Sequence, residues 1–206
     1  MSIKIFGTKI GMTQIFDEDG SAIPVTILRV GPCIVTQIKT VEKDGYSAIQ
    51  IGYLQTKLKK LSKPQLGHVK KAGVPPLFHL GEHKIDNISD YTVGQSITAE
   101  AFKIGQLVNI TGKSIGKGFS GNQKRHNFKR GPMSLGSKNH RAPGSIGPGT
   151  TPGRVFPGKK MPGRTGHEQR TIKGSEIIDI DKSQNLIVVK GSIPGKAGNL
   201  VSIKSS

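Results

Sequence analysis

Residues 113–170 cannot build a hydrophobic core, and this limits every fold open to the chain. The larger part of them reads "RGPMSLGSKNHRAPGSIGPGTTPGRVFPGKKMPGRTG" (130–166), dense in glycine and proline and poor in apolar residues. Neither helical nor strand periodicity survives in it. Chain entropy must be offset by buried apolar surface, and here there is too little of it. Loops longer than about 15 residues are uncommon inside compact domains and usually carry function. The segment therefore reads as an extended arm. Doubled back on itself it reaches at most about 100 Å, at 3.3–3.6 Å per residue.

Charge singles out the same segment. Thirteen of the 31 lysines and arginines lie in 113–170, against Glu168 alone, so the arm carries +12 of the net +18. The remainder holds 18 basic and 12 acidic residues. Such an excess calls for a polyanionic partner. A membrane face is disfavoured. No run of about 18 apolar residues exists to span a bilayer, and no lysine-studded amphipathic helix is present to lie in its interface. The N-terminal "MSIKIFGTKIGMTQIF" goes straight into strand-like alternation and reads as neither signal nor transit peptide.

The flanks look different. "AIPVTILRV" (22–30), "CIVTQIKTV" (33–41), "YSAIQIGYL" (46–54), "LVNITGKS" (107–114), "EIIDIDKSQNLIVVKGSI" (176–193) and "NLVSIKS" (199–205) are β-branched and largely alternating. That pattern predicts a mainly β protein, an antiparallel barrel or sandwich. Asp17–Gly20 and Asp181–Asn185 read as hairpin turns. "KPQLGHVKKAG" (63–73) predicts a short helix after Pro64, and "TAEAFKIG" one further turn. The expected organisation is a barrel domain from 1–112 and 171–206, with a small helical insertion near 63–73. The arm, 113–170, is then an insertion between two of its strands.

The motifs argue against catalysis. Gly116-x-Gly118-x-x-Gly121 has dinucleotide-loop spacing, but "NQKRHNFKRGP" after it lacks an apolar helix face. An arginine stands near 141 where that fold needs an acid. "TGKS" (111–114) lacks the glycine of a phosphate loop, because position 107 is leucine. The glycines fit close backbone approach to something bulky. The six histidines show no metal-ligand spacing, and Asp17, Glu18 and Asp19 do not continue into a calcium loop. Cys33 is the only cysteine, which excludes internal disulfides and reads as a small core hydrophobe. No cofactor, metal or small-molecule substrate is expected.

The arm's cations come with aromatic or imidazole companions. Lys113 and Lys117 precede Lys124, Arg125 and His126, then Phe128, Lys129 and Arg130. Lys138, His140 and Arg141 follow, then Arg154, Phe156, Lys159, Lys160 and Arg164. Lysine and arginine make charge-assisted contacts to phosphates, and histidine and phenylalanine offer faces to unpaired bases. This reads as an RNA-binding set. A DNA-architectural protein would show wedge residues or a dimer interface, and an RNA-modifying enzyme a cofactor pocket; neither is evident.

"GTKIGMTQIF", "GKGFSGNQKRHNFKRGPMSLGSKNHRAPGSIG" and "TPGRVFPGKKMPGRTG" resemble the large-subunit ribosomal protein three family, the universal "L three" proteins, in its compact bacterial or plastid form. Phe102, Asn109, Gly112, Ser114, Gly116, Lys117, Gly118, Gly121 and Arg125 stand at the signature's spacing. The resemblance covers essentially the whole chain. It implies a barrel like the second domains of translation factors, on the outside of the large subunit. It also implies an arm threading into large-subunit ribosomal RNA, and a role in early assembly beside neighbouring large-subunit proteins. The arm would end near the peptidyl transferase centre at Gly147, Pro148, Gly149, Thr150, Thr151 and Pro152. The implied location is the ribosome, in bacterial cytoplasm or plastid stroma. Two positions depart from the family. Thr150 replaces a glutamine that is methylated in some members, and His126 replaces a tryptophan.

Overall fold

Strand alternation of the kind read from the sequence runs through the computed structural model, which describes residues 4–85 and 87–206. In chain order the strands are β1 (Lys4–Phe16), β2 (Ala22–Val30), β3 (Cys33–Lys39), β4 (Ala48–Gln55), β5 (Leu77–Lys84), β6 (Ser96–Ile97), β7 (Leu107–Lys113), β8 (Phe119–Ser120), β9 (Gly163–Arg164), β10 (Gln169–Asp181), β11 (Leu186–Lys190) and β12 (Leu200–Ser205). The helices are α1 (Val41–Asp44), α2 (Lys63–Lys71) and α3 (Asn122–His126). Two compact units result. One runs to Lys113 and resumes at Gln169, and the other is Ser114–Glu168.

In the first unit six strands close into an antiparallel barrel in the order β1-β12-β7-β10-β11-β2. Closure leaves these strands no free edge. Alternation puts one residue in two inside. Ile187 and Val189 of β11, Val201 and Ile203 of β12, and Val108 and Ile110 of β7 are almost wholly buried. Cross-strand pairs of branched residues stack through the interior: Ile5 opposite Ile203, Ile203 opposite Ile110, Ile177 opposite Val189. Such pairs are what stabilises a sheet.

Both acidic turns form. Phe16 pairs with Ala22, with the Gly20 N–H donating to the Asp17 carbonyl at 2.9 Å and Gly20 at φ +77°. At the second turn Asp181 Oδ1 accepts from the Ser183 hydroxyl at 2.6 Å and from the Ser183 N–H at 2.9 Å. These bonds hold the Asp181 carboxyl below its ordinary value, with the Ser183 hydroxyl the main cause.

Two of the predicted strands do not belong to the barrel. β3 and β4, the stretches read at 33–41 and 46–54, form a separate four-stranded sheet in the order β5-β4-β3-β6. It shares one continuous core with the barrel through Phe6, Cys33, Val35, Ile51, Tyr53 and Phe102. The junction is tight. A Cβ on Gly81 would overlap the Phe6 ring, and the Tyr53 hydroxyl lies 3.0 Å from Thr8 Oγ1 while donating to the Arg29 carbonyl at 3.3 Å. Burial pushes the Cys33 thiol up to about 12, as expected of a core position. Lys9 is also buried, and its ammonium donates to the carbonyls of Ile193 (2.8 Å) and Gly195 (3.0 Å), closing the β11–β12 loop.

The expected helix at 63–73 is α2, and the "TAEAFKIG" turn is a 3-10 turn at Ala99–Ala101.

The second unit lies between β7 and β10, which are hydrogen-bonded neighbours in the barrel. It contains the short β8–β9 pair and α3, where the sequence showed no periodicity.

Candidate nucleic-acid interface

The second unit starts as a two-chain ladder. The Ser114 N–H donates to the Glu168 carbonyl at 2.9 Å, the Lys117 N–H to the Thr165 carbonyl at 2.9 Å and the Thr165 N–H to the Gly118 carbonyl at 2.9 Å. β8 and β9 continue it, with Phe119 opposite Arg164. This ladder explains part of the Gly116-x-Gly118-x-x-Gly121 spacing. A Cβ placed on Gly116 would stand 3.2 Å from His167 Cβ, and Gly118 has φ +68°, a left-handed conformation that favours glycine. Across the ladder, a Cβ on Gly166 would overlap the Ile115 carbonyl.

α3 follows the ladder and ends at Asn127, left-handed at φ 58°. Two predicted site residues on it share one acceptor. Arg125 Nη1 donates to the Met161 carbonyl at 2.9 Å, and His126 Nε2 lies 3.0 Å from the same oxygen. Residues 35 positions apart are thereby pinned together. The His126 ring also stands 6.2 Å from the Phe128 ring, tilted at 48°. Arg125 and His126 thus have a part in shaping the unit, which the sequence did not indicate.

Lys117, Lys124 and Arg141, distant in sequence, line one cavity of about 760 Å³ with Asn122 and Thr165. Asn122 is 3% exposed, and neither atom of its carboxamide has a hydrogen-bond partner among the described residues; nor has the buried Thr165 hydroxyl. Buried polar groups are ordinarily paired, and an unpaired one costs about 1–3 kcal/mol. No sequence signal marks Asn122 or Thr165, because their burial depends on the fold.

The other predicted residues are dispersed. Among the described residues Lys129, Arg130, Lys138, Lys159 and Lys160 are exposed with no side-chain hydrogen bond or ion pair, and Arg164 is exposed on β9. The Arg154 guanidinium lies 5.8 Å from the Phe156 ring centroid, a cation–π contact. His140 Nδ1 is 2.8 Å from the Pro132 carbonyl. Gly147, Pro148, Gly149, Thr150 and Thr151 are exposed and Pro152 is half-buried. Lys113, at the end of β7, belongs to the barrel unit and is exposed.

Apolar burial is inverted here. Among the described residues of 114–168 only Ser120 and Asn122 are buried, both polar, whereas Ile115, Phe119, Met133, Leu135, Val155 and Phe156 are exposed. No group of three or more histidine, cysteine or acidic residues among the described residues could hold a metal ion. No helix among them is long and apolar enough to cross a membrane.

Comparison with known proteins decides the family. The sequence model of the family described as "Ribosomal protein L3" matches residues 79–186. The chain is 60% identical over 207 residues to large ribosomal subunit protein uL3 of a Picosynechococcus species, covering 100% of this chain and 97% of that one. It is 59% identical over 206 residues to large ribosomal subunit protein uL3c of Phaeodactylum tricornutum, covering 100% of both. This chain belongs to the ribosomal protein L3 family. Membership makes it a ribosomal protein and not an enzyme. The L3 match at 79–186 contains the whole of the second unit, so the stretch that cannot form a core is part of what defines the family.

Proposed function

We propose that this chain is a structural constituent of the large ribosomal subunit that binds large-subunit ribosomal RNA directly through residues 113–170. One observation carries the reading: the arm turns its cations and its apolar side chains outward together. Eleven of its thirteen lysines and arginines lie in a unit with no buried apolar residue among those described. A partner rich in phosphates and in flat apolar faces satisfies both sets at once, and folded RNA is such a partner. The unpaired Asn122 carboxamide beside Lys117, Lys124 and Arg141 fits the same reading.

In this account the barrel unit stays at the outer side of the subunit beside neighbouring ribosomal proteins, and supports assembly. The tip, Gly147 to Pro152, extends towards the peptidyl transferase centre. The chain does no chemistry there; it supports the RNA that does. The setting is the ribosome of a bacterial cytoplasm or a plastid stroma, in keeping with the cyanobacterial and algal relatives.

Counterion release supplies the test. Eight to ten phosphate contacts give a log–log dependence of affinity on salt with a slope of about −6 to −9. Filter binding to a transcript of the large-subunit RNA across a salt series measures it, and a slope near −2 contradicts the proposal. Tip placement is tested in a Cys33→Ala background, with Thr150→Cys carrying a tethered iron–EDTA group in assembled subunits. Strand cleavage is expected at the peptidyl transferase RNA. Cleavage confined to the subunit surface excludes the tip assignment.

A further inference from the structure

The first unit has a charge asymmetry of its own. Residues 45–81 contain six lysines (Lys57, Lys59, Lys60, Lys63, Lys70 and Lys71) and no acid. All six are exposed. The rest of the flanking sequence, outside both this stretch and the arm, holds twelve basic and twelve acidic residues. The whole +6 excess of the flanks therefore sits on α2 and the turn before it.

α2 is fastened by its other side. Val69 is 3% exposed. His68 Nε2 bonds Gln50 Oε1 of β4, which also accepts from the Thr36 hydroxyl of β3 at 2.8 Å. The first turn is capped by the Ser62 N–H donating to Gln65 Oε1 at 3.1 Å. At 100° per residue, Lys63, Gly67, Lys70 and Lys71 fall within one arc on the side away from Val69. Lys63 and Lys70 are about 10 Å apart along the axis, at 1.5 Å per residue. Asp44 of α1 lines the same cavity as Lys71, together with Lys43; the cavity includes neither Lys63 nor Lys70.

Gly67 is the unexplained residue. It sits in the middle of a helix, where glycine is less favourable than alanine. Its φ is not left-handed, and a Cβ placed on it would meet nothing within 4 Å. Nothing among the described residues requires a glycine there. A helix surface bare at its centre and ringed by lysines admits a phosphate chain closer to the backbone than any side chain would allow. Lysine, a point charge without a guanidinium fork, suits contact with phosphates irrespective of base sequence.

We infer that the outer face of α2 is a second RNA-contact surface, separate from the arm, on which a phosphodiester backbone lies across Gly67 between Lys63, Lys70 and Lys71. The inference rests on the proposed RNA-binding function and adds a second site to it.

The experiment uses the full chain and a transcript of the large-subunit RNA, with binding measured across a salt series. Three variants are compared with the parent: Lys63→Gln/Lys70→Gln/Lys71→Gln, Gly67→Gln, and the arm variant Lys124→Gln/Arg130→Gln/Lys138→Gln. Thermal melts verify folding; Gly67→Gln should melt at or above the parent temperature. If α2 is a contact, its triple variant makes the salt slope shallower by about 2–3, at about 0.9 per lost phosphate contact. Gly67→Gln then binds at least fivefold more weakly although the protein is no less stable. A triple variant with the parent slope, while the arm variant is weakened, overturns the second site and leaves the arm reading standing. A weakened triple variant with Gly67→Gln unchanged also overturns it, since only diffuse attraction would remain. If the arm variant too binds as the parent does, the RNA-binding reading itself fails.

Discussion

The barrel unit and the arm solve opposite problems with one chain. In the barrel unit, branched side chains at every second position meet across six closed strands, and the largest of them, such as Ile5, Ile110 and Ile203, are fully buried. In the arm, the only buried residues among those described are Ser120 and Asn122, and Phe119, Leu135 and Phe156 face outward with its lysines and arginines. The first arrangement draws stability from burying its own apolar surface. The second leaves that surface, and its charge, for a partner. Folding and binding are thus assigned to different stretches, and each can be perturbed with the other intact.

The largest effect should come from removing the arm. Replacing residues 121–162 with Asn-Gly joins Ser120 to Gly163, which already face each other across β8 and β9, by a two-residue hairpin turn. The unfolding free energy from urea titration should stay within about 0.5 kcal/mol of the parent, as for changes that touch no core residue. Affinity for the large-subunit RNA should fall more than 100-fold at 0.1 M salt, from the loss of most phosphate contacts. A barrel that unfolds on this excision would break the division of labour.

The converse change is Ile203→Ala. Its side chain is fully buried opposite both Ile5 and Ile110, so truncation should cost about 2–5 kcal/mol in urea unfolding. The salt slope of RNA binding, measured where the variant is still folded, should not change.

Cys33 sharpens the comparison. Its buried thiol, pushed up to about 12, carries almost no thiolate at pH 8. Alkylation by iodoacetamide should therefore proceed only as fast as the barrel unit opens. Adding RNA should not slow it, unless binding stabilises the barrel as well as the arm.

The smallest expected effect is a pH dependence. His79, on β5, has its pKa lowered by burial. Between its ordinary value near 6.5 and the lower folded value, the unfolded chain binds the extra proton and the folded chain does not. The contribution is therefore complete above pH 6.5 and is lost as pH falls through that window. Stability measured from pH 7.5 to 5 should decline less in His79→Gln than in the parent.

The sequence displayed some of this organisation and concealed the rest for physical reasons. β2 and β7 were legible almost to the residue, because alternation and flanking turn residues are local properties. The two acidic turns were legible because aspartate and glycine act within four residues. The assignment of β3 and β4 to a separate sheet was not, since pairing partners are chosen by distant strands. α3 was hidden because Arg125 and His126 help hold it through a carbonyl at Met161, with no apolar periodicity to announce it. The density of cations in the arm was plain from counting. The cavity that gathers Lys117, Lys124 and Arg141 around Asn122 required the fold. The lysines of α2 escaped notice because a count over all the flanks dilutes a local +6 among twelve balanced pairs.

The most direct measurement of the central claim is retention in the ribosome under high salt. Lysate is fractionated on a sucrose gradient, and the large subunits are washed in about 1 M salt, where the Debye length is about 3 Å and loosely held basic proteins dissociate. An arm enclosed in folded RNA predicts that this chain remains with the large subunit at one copy each. Its release into the wash, or its absence from the large-subunit peak before washing, would contradict the account.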